Sequence, residues 1–398
     1  MATRVRTGLD RIGDEGPAVA GLRPGARVGL VAHPASIDAR LRHAVEVLAG
    51  PAGLRPVRLF APEHGLRGEA QDMETVDDAV DPATGIEVRS LYGTDPASLA
   101  PRREDLEGLD AIVVDLQDVG ARYYTFVYTL AHVMEVCGPV GLPVVVLDRP
   151  NPIGGRRVEG PVLDREFASF VGRYPIPVRH GMTVLELAQL FRDVFGVDCE
   201  LRGVAMDGWR RGQWFDDTGL PWVPPSPNMP TLATATVYPG GCLVEGTNLS
   251  EGRGTTQPFE FVGAPWIDGA ALRDRLAARD LPGVGLRETW FRPKVQKHAG
   301  VTCGGVQVHV TDREALRPFR TYLAVLADAR ALDPGRFAWR TEVYEFVSDR
   351  LAIDLLLGRR GLREAIEAGV ELDGLEAAWT ADRDRFDAER QRALLYPD

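Results

Sequence analysis

The chain contains a series of short apolar runs rich in β-branched residues, and this series constrains the fold more than any other feature of the sequence. Four of these runs lie at residues 27–32, 56–61, 111–116 and 143–147. Segments with apolar residues at helical spacing lie between them, at residues 37–49 and 123–137. Strands that are apolar throughout and alternate with helices predict a parallel sheet covered on both faces. We therefore predict an α/β fold, with a Rossmann-like parallel-sheet domain followed by a smaller α+β C-terminal domain.

The length of the chain predicts more than one domain, because 398 residues exceed the usual size of a single hydrophobic core. We predict that residues 1–160 form the core of the Rossmann-like domain. Residues 161–265 are rich in glycine, proline and tryptophan, and we predict that they form a middle segment between the two domains. Residues 266–398 are predicted to form the α+β C-terminal domain, with a strand at 306–310 and helices at 313–331, 348–370 and 372–394.

Net charge and missing motifs exclude several classes of function. The formal net charge of −11 argues against nucleic acid as a partner, since phosphate binding needs a basic face. The first strand is followed by His33-Pro34 and not by the glycine fingerprint of dinucleotide-binding folds. The sequence also lacks a phosphate-binding loop, a G-x-S-x-G elbow and zinc-ligand spacing. We predict neither a cofactor nor a metal ion.

A cluster of aspartates at residues 72, 77, 78 and 81 is the one group that resembles a metal site. We interpret it as a solvated acidic loop, because the residues lie in a stretch without a clear period.

The N-terminal sequence lacks the apolar region of a signal peptide. No run approaches the roughly 20 apolar residues that cross a membrane. The sequence therefore predicts a cytoplasmic protein without a membrane partner, and it makes no prediction about the oligomeric state.

Clusters of polar residues follow three predicted strands and fill one later loop. The first cluster is Glu63-His64, placed after Pro62, which ends a strand because it lacks an N–H group. The others lie at residues 115–124, 148–151 and 245–256. The first three follow neighbouring parallel strands, so we predict that they meet at one edge of the sheet.

The residue types in these clusters suit a sugar-binding site. In glycoside hydrolysis one carboxyl protonates the leaving oxygen, while a second base, nucleophile or substrate group acts on the opposite face. Arginine binds carboxylates through a planar fork. Structural roles remain open for several of these residues: Glu63 and Asp115 as helix caps, and Arg122 as a partner of Asp118.

Longer motifs show that the chain resembles a bacterial exo-β-N-acetylmuramidase family, formerly a domain of unknown function. The resemblance covers roughly residues 27–312. It is carried by FAPEHGLRGE (60–69), SLYG (90–93), DLQDVGARYYTF (115–126), VLDRPNPIGG (146–155), VEGPVLD (158–164), SFVGRYPIPVRHGMT (169–183), DDTGLPWVPPSPNMPT (216–231), YPGGCLVEGTNLSEGRGTTQPFEFVGAPW (238–266) and CGGVQVHVTD (303–312).

The resemblance implies an enzyme of peptidoglycan recycling that releases terminal N-acetylmuramic acid from the non-reducing end of peptidoglycan fragments. It also implies that the Rossmann-like domain is the catalytic domain and that residues 161–265 complete the active-site cleft. The implied substrate is a saccharide that contains N-acetylmuramic acid joined to N-acetylglucosamine. Glu63 matches the glutamate of the P-E-H-G motif that is taken as the family's catalytic acid. The resemblance also implies secreted relatives, whose export signal this sequence lacks.

The other site residues are predicted from their chemistry. His64 is predicted to tune Glu63 or bind a hydroxyl group, and Asp115 or Asp118 to supply the second carboxylate. Amide and phenol groups would bind the sugar and its acetamido group, an arginine would bind the lactyl carboxylate, and two glutamates are further candidates. These substrate-binding residues are Gln117, Arg122, Tyr124, Arg149, Asn228, Glu245, Glu251 and Arg253.

Two other functions fit the same residues. A sensor or scaffold that binds muramyl sugars without catalysis would use the same cleft. An enzyme acting on nucleotide sugars would use the Rossmann-like domain, although the missing phosphate-binding loop argues against it.

Overall fold

The structure is a computed structural model that describes residues 4–71 and 73–398. Its strands are β1 Arg27–Ala32, β2 Arg55–Ala61, β3 Ala79–Val80, β4 Glu87–Ser90, β5 Ala111–Asp115, β6 Val144–Leu147, β7 Glu159–Val162, β8 Pro177–Arg179, β9 Leu201–Val204, β10 Phe261–Ala264, β11 Val284–Phe291 and β12 Cys303–Val310. Its α-helices are α1 Gly8–Glu15, α2 Ala44–Ala49, α3 Phe126–Cys137, α4 Val184–Asp193, α5 Leu232–Gly241, α6 Gly269–Ala277, α7 Pro318–Leu332, α8 Ala352–Leu357, α9 Leu362–Glu367 and α10 Leu372–Arg390.

A seven-stranded sheet with the order β3-β4-β2-β1-β5-β6-β9 forms the N-terminal part of the protein. Every neighbouring pair is parallel except β3 with β4 at the edge. The central strands β5 and β6 are buried along their whole length, as expected for a parallel sheet with two covered faces. The predicted Rossmann-like α/β architecture is confirmed.

The two faces of this sheet are covered by different helices. Leu30 and Val113 belong to a core with residues of α1 and α2. Val31 and Val114, one residue later on the same strands, belong to a core with residues of α3 and α4. Because successive strand residues point to opposite faces, each apolar run supplies both cores.

The sheet continues beyond residue 160, where we predicted that the core of the Rossmann-like domain ends. Strand β9 pairs in parallel with β6, and Val204 packs in the core next to α1 and α2. The run from 201 to 204 is half exposed and contains arginine and glycine, so it lacks the apolar pattern by which the other strands were found.

The C-terminal part is built on an antiparallel three-stranded sheet with the order β10-β12-β11. Strand β12 lies in the centre, and its Gly304 and Gly305 allow the backbone of neighbouring segments to approach closely. A Cβ atom added at Gly305 would lie 2.0 Å from the backbone oxygen of Val262. The predicted α+β C-terminal domain is confirmed, although the sequence pattern did not reveal β10 or β11.

Several predicted helices differ from the structure in their bounds, for local reasons. The helix predicted from residue 37 begins at Ala44, because Asp38 closes a turn by accepting bonds from the backbone N–H groups of Arg40 and Arg42. The helix predicted at 348–370 divides into α8 and α9, because Gly358 and Gly361 adopt left-handed backbone angles.

The acidic loop is less solvated than predicted. Asp72 lies outside the described residues. Asp81 is buried and accepts hydrogen bonds from Arg67 and Thr84, so the prediction of a solvated side chain is wrong for Asp81. Within the described part of the chain, no helix combines the length and apolar character needed to cross a bilayer.

The end of the chain is bound to the N-terminal sheet by buried polar contacts. Tyr396 donates a hydrogen bond to Asp148, which follows β6 and also accepts bonds from Thr183 and the backbone of Leu185. The Leu395 N–H donates to Glu186 on α4. These contacts fix the C-terminal residues against the same domain as the start of the chain.

Stability is expected to fall as the pH rises from about 4 to about 7, because burial raises the pKa of Asp148 to about 7. The unfolded chain releases this proton near pH 3.9, so the folded state binds more protons across that window. The contribution is fully present below about pH 4 and is lost as the pH rises through about 7, at up to about 1.4 kcal/mol per pH unit. Urea unfolding of Asp148→Asn at pH 5 and 6.5 should show a shallower decline than the wild type.

The matched variant is Glu159→Gln, because burial also raises the pKa of Glu159 to about 7. Each variant should reduce the loss of unfolding free energy between pH 5 and 6.5, and the double variant should show the sum of the two reductions. An unchanged slope in Asp148→Asn would contradict the prediction.

Candidate active site

A cavity with about 440 Å³ of empty space lies past the carboxyl end of β2. Its N-terminal wall consists of Glu63, His64 and residues 123–126 before and at the start of α3. Residues 226–229 and residues of the C-terminal part complete it, including Glu245, Arg253 and Glu345. Carboxylates, aromatic rings and an arginine therefore converge here.

Glu63 enters this cavity from the end of β2. Glu63 is only 4% exposed, and its Oε2 atom accepts a 2.7 Å hydrogen bond from the Thr125 hydroxyl. No cation pairs with Glu63 among residues 4–71 and 73–398. The carboxyl is thus held in place by a neutral donor.

A sharp turn follows Glu63 and directs the chain away from the cavity. His64 and Gly65 have φ angles of 71° and 83°, in the left-handed region that costs non-glycine residues of order 1 kcal/mol or more. The His64 ring lies edge-on to Phe126, and its Nδ1 atom lies 3.1 Å from the backbone oxygen of Ala70. His64 therefore lines the cavity with one ring nitrogen already engaged.

A charged network of residues from the C-terminal part forms another wall of the cavity. Arg253 donates to Glu245 at 2.7 Å and lies 3.3 Å from Glu251, and Lys297 lies 2.7 Å from Glu251. Tyr344 donates to the other oxygen of Glu245. Burial raises the pKa of Glu251, but Lys297 and Arg253 outweigh this effect and leave the pKa below its usual value. Of the predicted residues, Glu245 and Arg253 line the cavity, and Glu251 lines a neighbouring cavity.

Tyr124 and Asn228 also line the cavity. Burial raises the pKa of the Tyr124 hydroxyl far above its usual range, so the group stays neutral and can donate a hydrogen bond. The Asn228 amide donates to the Gln71 side chain at 3.2 Å. Both residues are placed where a sugar hydroxyl or acetamido group could be bound.

Asp115 and Arg149 meet each other instead of entering the cavity. Arg149 donates to both carboxylate oxygens of Asp115, at 2.6 and 2.7 Å, and to the backbone oxygen of Ile37. Burial raises the pKa of Asp115, and Arg149 partly offsets this. The second and third clusters thus converge as predicted, but these two side chains satisfy one another below the sheet edge, and we assign them no chemical step.

Gln117 and Asp118 are likewise committed to protein contacts. The Gln117 amide donates to the backbone oxygens of Asp118 and Pro150. Asp118 accepts from the backbone of Gly120 and lies 3.3 Å from the Nε2 atom of His180. Neither side chain lines the cavity with Glu63.

Arg122 ties separate segments of backbone together. Its guanidinium is fully buried and donates to the backbone oxygens of Pro161, Ile176 and Leu356. Neither the predicted contact with substrate nor the alternative pairing with Asp118 matches this arrangement. The reason is that the side chain points into the joint between the N-terminal and C-terminal parts.

Glu345 lines the cavity and was not predicted from the sequence. Tyr344 and Val347 exchange backbone hydrogen bonds around it, and both central residues of this turn, Glu345 and Phe346, have positive φ angles. Such turns usually carry Asn-Gly or similar residues, and the sequence here shows no such signal. Glu345 accepts a 3.1 Å hydrogen bond from the Tyr92 hydroxyl.

Family models match most of the chain. Residues 28–233 match the model described as exo-beta-N-acetylmuramidase NamZ, N-terminal, and residues 236–396 match the corresponding C-terminal model. The change from one model to the other falls inside the segment 161–265, which we predicted as a separate middle region.

A curated relative is similar over nearly the full length. The peptidoglycan beta-N-acetylmuramidase NamZ of Bacillus subtilis is 42% identical over 393 residues, which cover 99% of this chain and 92% of that protein. Two crystal structures of DUF1343 family proteins from Bacteroides fragilis are also similar. One has a TM-score of 0.87 at 31% identity and covers 99% of both chains, and the other has a TM-score of 0.77 at 28% identity and covers 100% of both.

Proposed function

The chain belongs to the exo-β-N-acetylmuramidase family of glycoside hydrolases, and from this premise we propose that Glu63 is the acid that releases terminal N-acetylmuramic acid from peptidoglycan fragments. The observation that carries the assignment is the position of Glu63. Its carboxyl is buried in a cavity of sugar-site composition and is bound by a hydroxyl group rather than a cation.

The reaction breaks the bond between C1 of N-acetylmuramic acid and the oxygen of the next sugar. The proton of Glu63 passes to that oxygen, which leaves as a hydroxyl group of the shortened saccharide. Positive charge develops on the N-acetylmuramic acid ring as the bond breaks. The carboxylates of Glu245 and Glu345 line the same cavity and can stabilise this charge. Water then adds to C1 as a hydroxyl group and releases one proton, and Glu63 takes up a proton from solvent before the next cycle.

Recognition of the sugar is assigned to the predicted residues that line the cavity. Arg253 is the one of the three predicted arginines found there, and we assign the lactyl carboxylate to it. Tyr124 and Asn228 are assigned to the hydroxyl and acetamido groups. The predicted cytoplasmic location stays a prediction.

The function is tested with two disaccharides that contain the same sugars in opposite order. The enzyme should release N-acetylmuramic acid when this sugar is at the non-reducing end and joined to N-acetylglucosamine. The reverse disaccharide, with N-acetylglucosamine at the non-reducing end, should remain intact. Binding of the first disaccharide without product after long incubation would support a sensor and contradict the enzyme.

Thr125→Val is expected to lower kcat about tenfold with little change in KM, because one hydrogen bond that orients Glu63 is worth about 1–1.5 kcal/mol. Thr125 stands at the N-terminus of α3, but its hydroxyl does not cap the helix and binds Glu63 instead. Steady-state kinetics on the cleavable disaccharide measure the effect.

Thr125→Ser provides the control, since it keeps the hydroxyl group and should retain most of the activity. Equal losses in the valine and serine variants, or a loss confined to KM, would show that Thr125 does not act through Glu63.

A further inference from the structure

A second, wider cavity adjoins the active-site cavity, and the two share Glu245. The second cavity has about 1330 Å³ of empty space, compared with about 440 Å³ for the first. Its walls come from residues 247–248, 296–298 and 338–342. Because its lining includes Trp339, we call it the Trp339 cavity.

One wall of the Trp339 cavity is fixed by hydrogen bonds between two chain segments. Asn248 exchanges bonds with Ala338 through its backbone N–H and its side-chain oxygen, and its amide nitrogen donates to the backbone oxygen of Arg336. The Arg340 N–H donates to the backbone oxygen of Gly246. This wall is therefore held in one position relative to Glu245.

The loop 296–298, which is bound to the Asn248 segment by His298, contains strained backbone. Gln296 and His298 both have a φ of 58°, a conformation that costs non-glycine residues of order 1 kcal/mol or more each and that clusters at functional sites. Between them, Lys297 donates to the backbone oxygens of Val244 and Thr247 and pairs with Glu251. The strain places the side chains of this loop on the cavity.

The lining of the cavity suits a neutral polar ligand more than an anion. Lys297 is paired with Glu251, and Arg340 lies 3.8 Å from Glu342. Glu245 also lines this cavity, and its carboxylate is bound by Arg253 and Tyr344. The cations of the wall are thus matched by acids, and little positive charge remains to attract the carboxylates of a stem peptide.

Trp339 offers a fixed aromatic surface within this lining. Its indole N–H donates to Glu367 at 2.7 Å, and its ring meets Phe337 edge-on with centroids 5.0 Å apart. A few polar groups around an aromatic surface are typical of small-molecule sites, and an immobilised ring loses little conformational freedom on binding.

We propose that the Trp339 cavity binds the leaving part of the glycan, beginning with the N-acetylglucosamine ring, and that Trp339 supplies the surface on which this ring packs. The inference rests on the proposed function. A glycan whose terminal ring occupies the narrow cavity can continue past Glu245 into the wider one. The first cavity then holds the released sugar, and the Trp339 cavity selects for a saccharide rather than a small leaving group.

The test compares two substrates in Trp339→Ala. For the disaccharide with terminal N-acetylmuramic acid, kcat/KM should fall at least about tenfold, equivalent to about 1.4 kcal/mol. For β-N-acetylmuramyl fluoride, whose leaving group is a single atom that does not reach the cavity, kcat/KM should stay within about twofold of the wild type. Trp290→Ala is the matched control, because Trp290 is 67% exposed on β11 and lines neither cavity.

Thr341→Trp keeps the test informative if Trp339→Ala fails to fold. Thr341 is an exposed residue of the cavity wall, and a large side chain there should block the disaccharide and spare the fluoride substrate. Equal losses on both substrates, or no loss on either, would overturn the proposal. If the wild type cleaves neither substrate, the proposed function fails instead.

Discussion

Glu63→Gln is expected to lower kcat for cleavage of the disaccharide by a factor of about 10³, within the range of 10²–10⁴ that general acid catalysis supplies. Glutamine has the same shape but no transferable proton, and the sugar oxygen is a poor leaving group without one. The Thr125 hydroxyl can still donate to the side-chain oxygen of the glutamine, so the fold and the shape of the cavity should be retained.

The effect should depend on the leaving group if Glu63 is the acid. An aryl β-N-acetylmuramide with a strongly acidic phenol needs little protonation, so Glu63→Gln should retain much more of its wild-type rate on that substrate. Glu69→Gln is the control, because Glu69 is exposed in the same loop. Equal loss on both substrates would assign Glu63 another role, and full activity on the disaccharide would refute the assignment.

Arg149→Met is expected to reduce the free energy of unfolding by about 3–5 kcal/mol, the usual effect of breaking one side of a buried ion pair. Arg149 donates hydrogen bonds to both carboxylate oxygens of Asp115, and both residues are buried. Methionine has a similar aliphatic stem but leaves the carboxylate without its partner. Urea unfolding at pH 7 measures the change.

A double variant separates the structural role from a catalytic one. Asp115→Asn combined with Arg149→Met removes the unpaired charge and should recover part of the lost stability. Both variants, assayed where they are folded, should cleave the disaccharide at rates near that of the wild type. A folded variant without activity would return Asp115 and Arg149 to the active site.

The parallel sheet could be predicted because its strands carry their own signal. The runs at β5 and β6 are apolar throughout, and only strands buried on both faces of a sheet are expected to have that pattern. Strand β9 could not be found in this way. It lies at the edge of the sheet, where polar residues and glycine are tolerated, and its sequence contains an arginine and a glycine. The turn at Glu345 also gave no signal, because its residues are unusual for that backbone conformation.

Site residues close to a strand end were easier to predict than those brought in from a distance. Glu63 follows Pro62 at the end of β2, so its placement at the sheet edge depends on local sequence. Glu345 reaches the same cavity through its contact with Tyr92, 253 residues earlier in the chain. No local pattern contains that contact.

The sequence by itself determined the α/β architecture, the position of Glu63 at the carboxyl edge of the sheet and the family to which the chain belongs. These properties depend on hydrophobic periodicity, on the missing N–H of a proline and on motifs within short stretches. The tertiary structure alone decided which polar side chains face the cavity. Asp115 meets Arg149 only because β5 and β6 lie side by side, and buried charges must find partners among whatever groups the packed fold brings near.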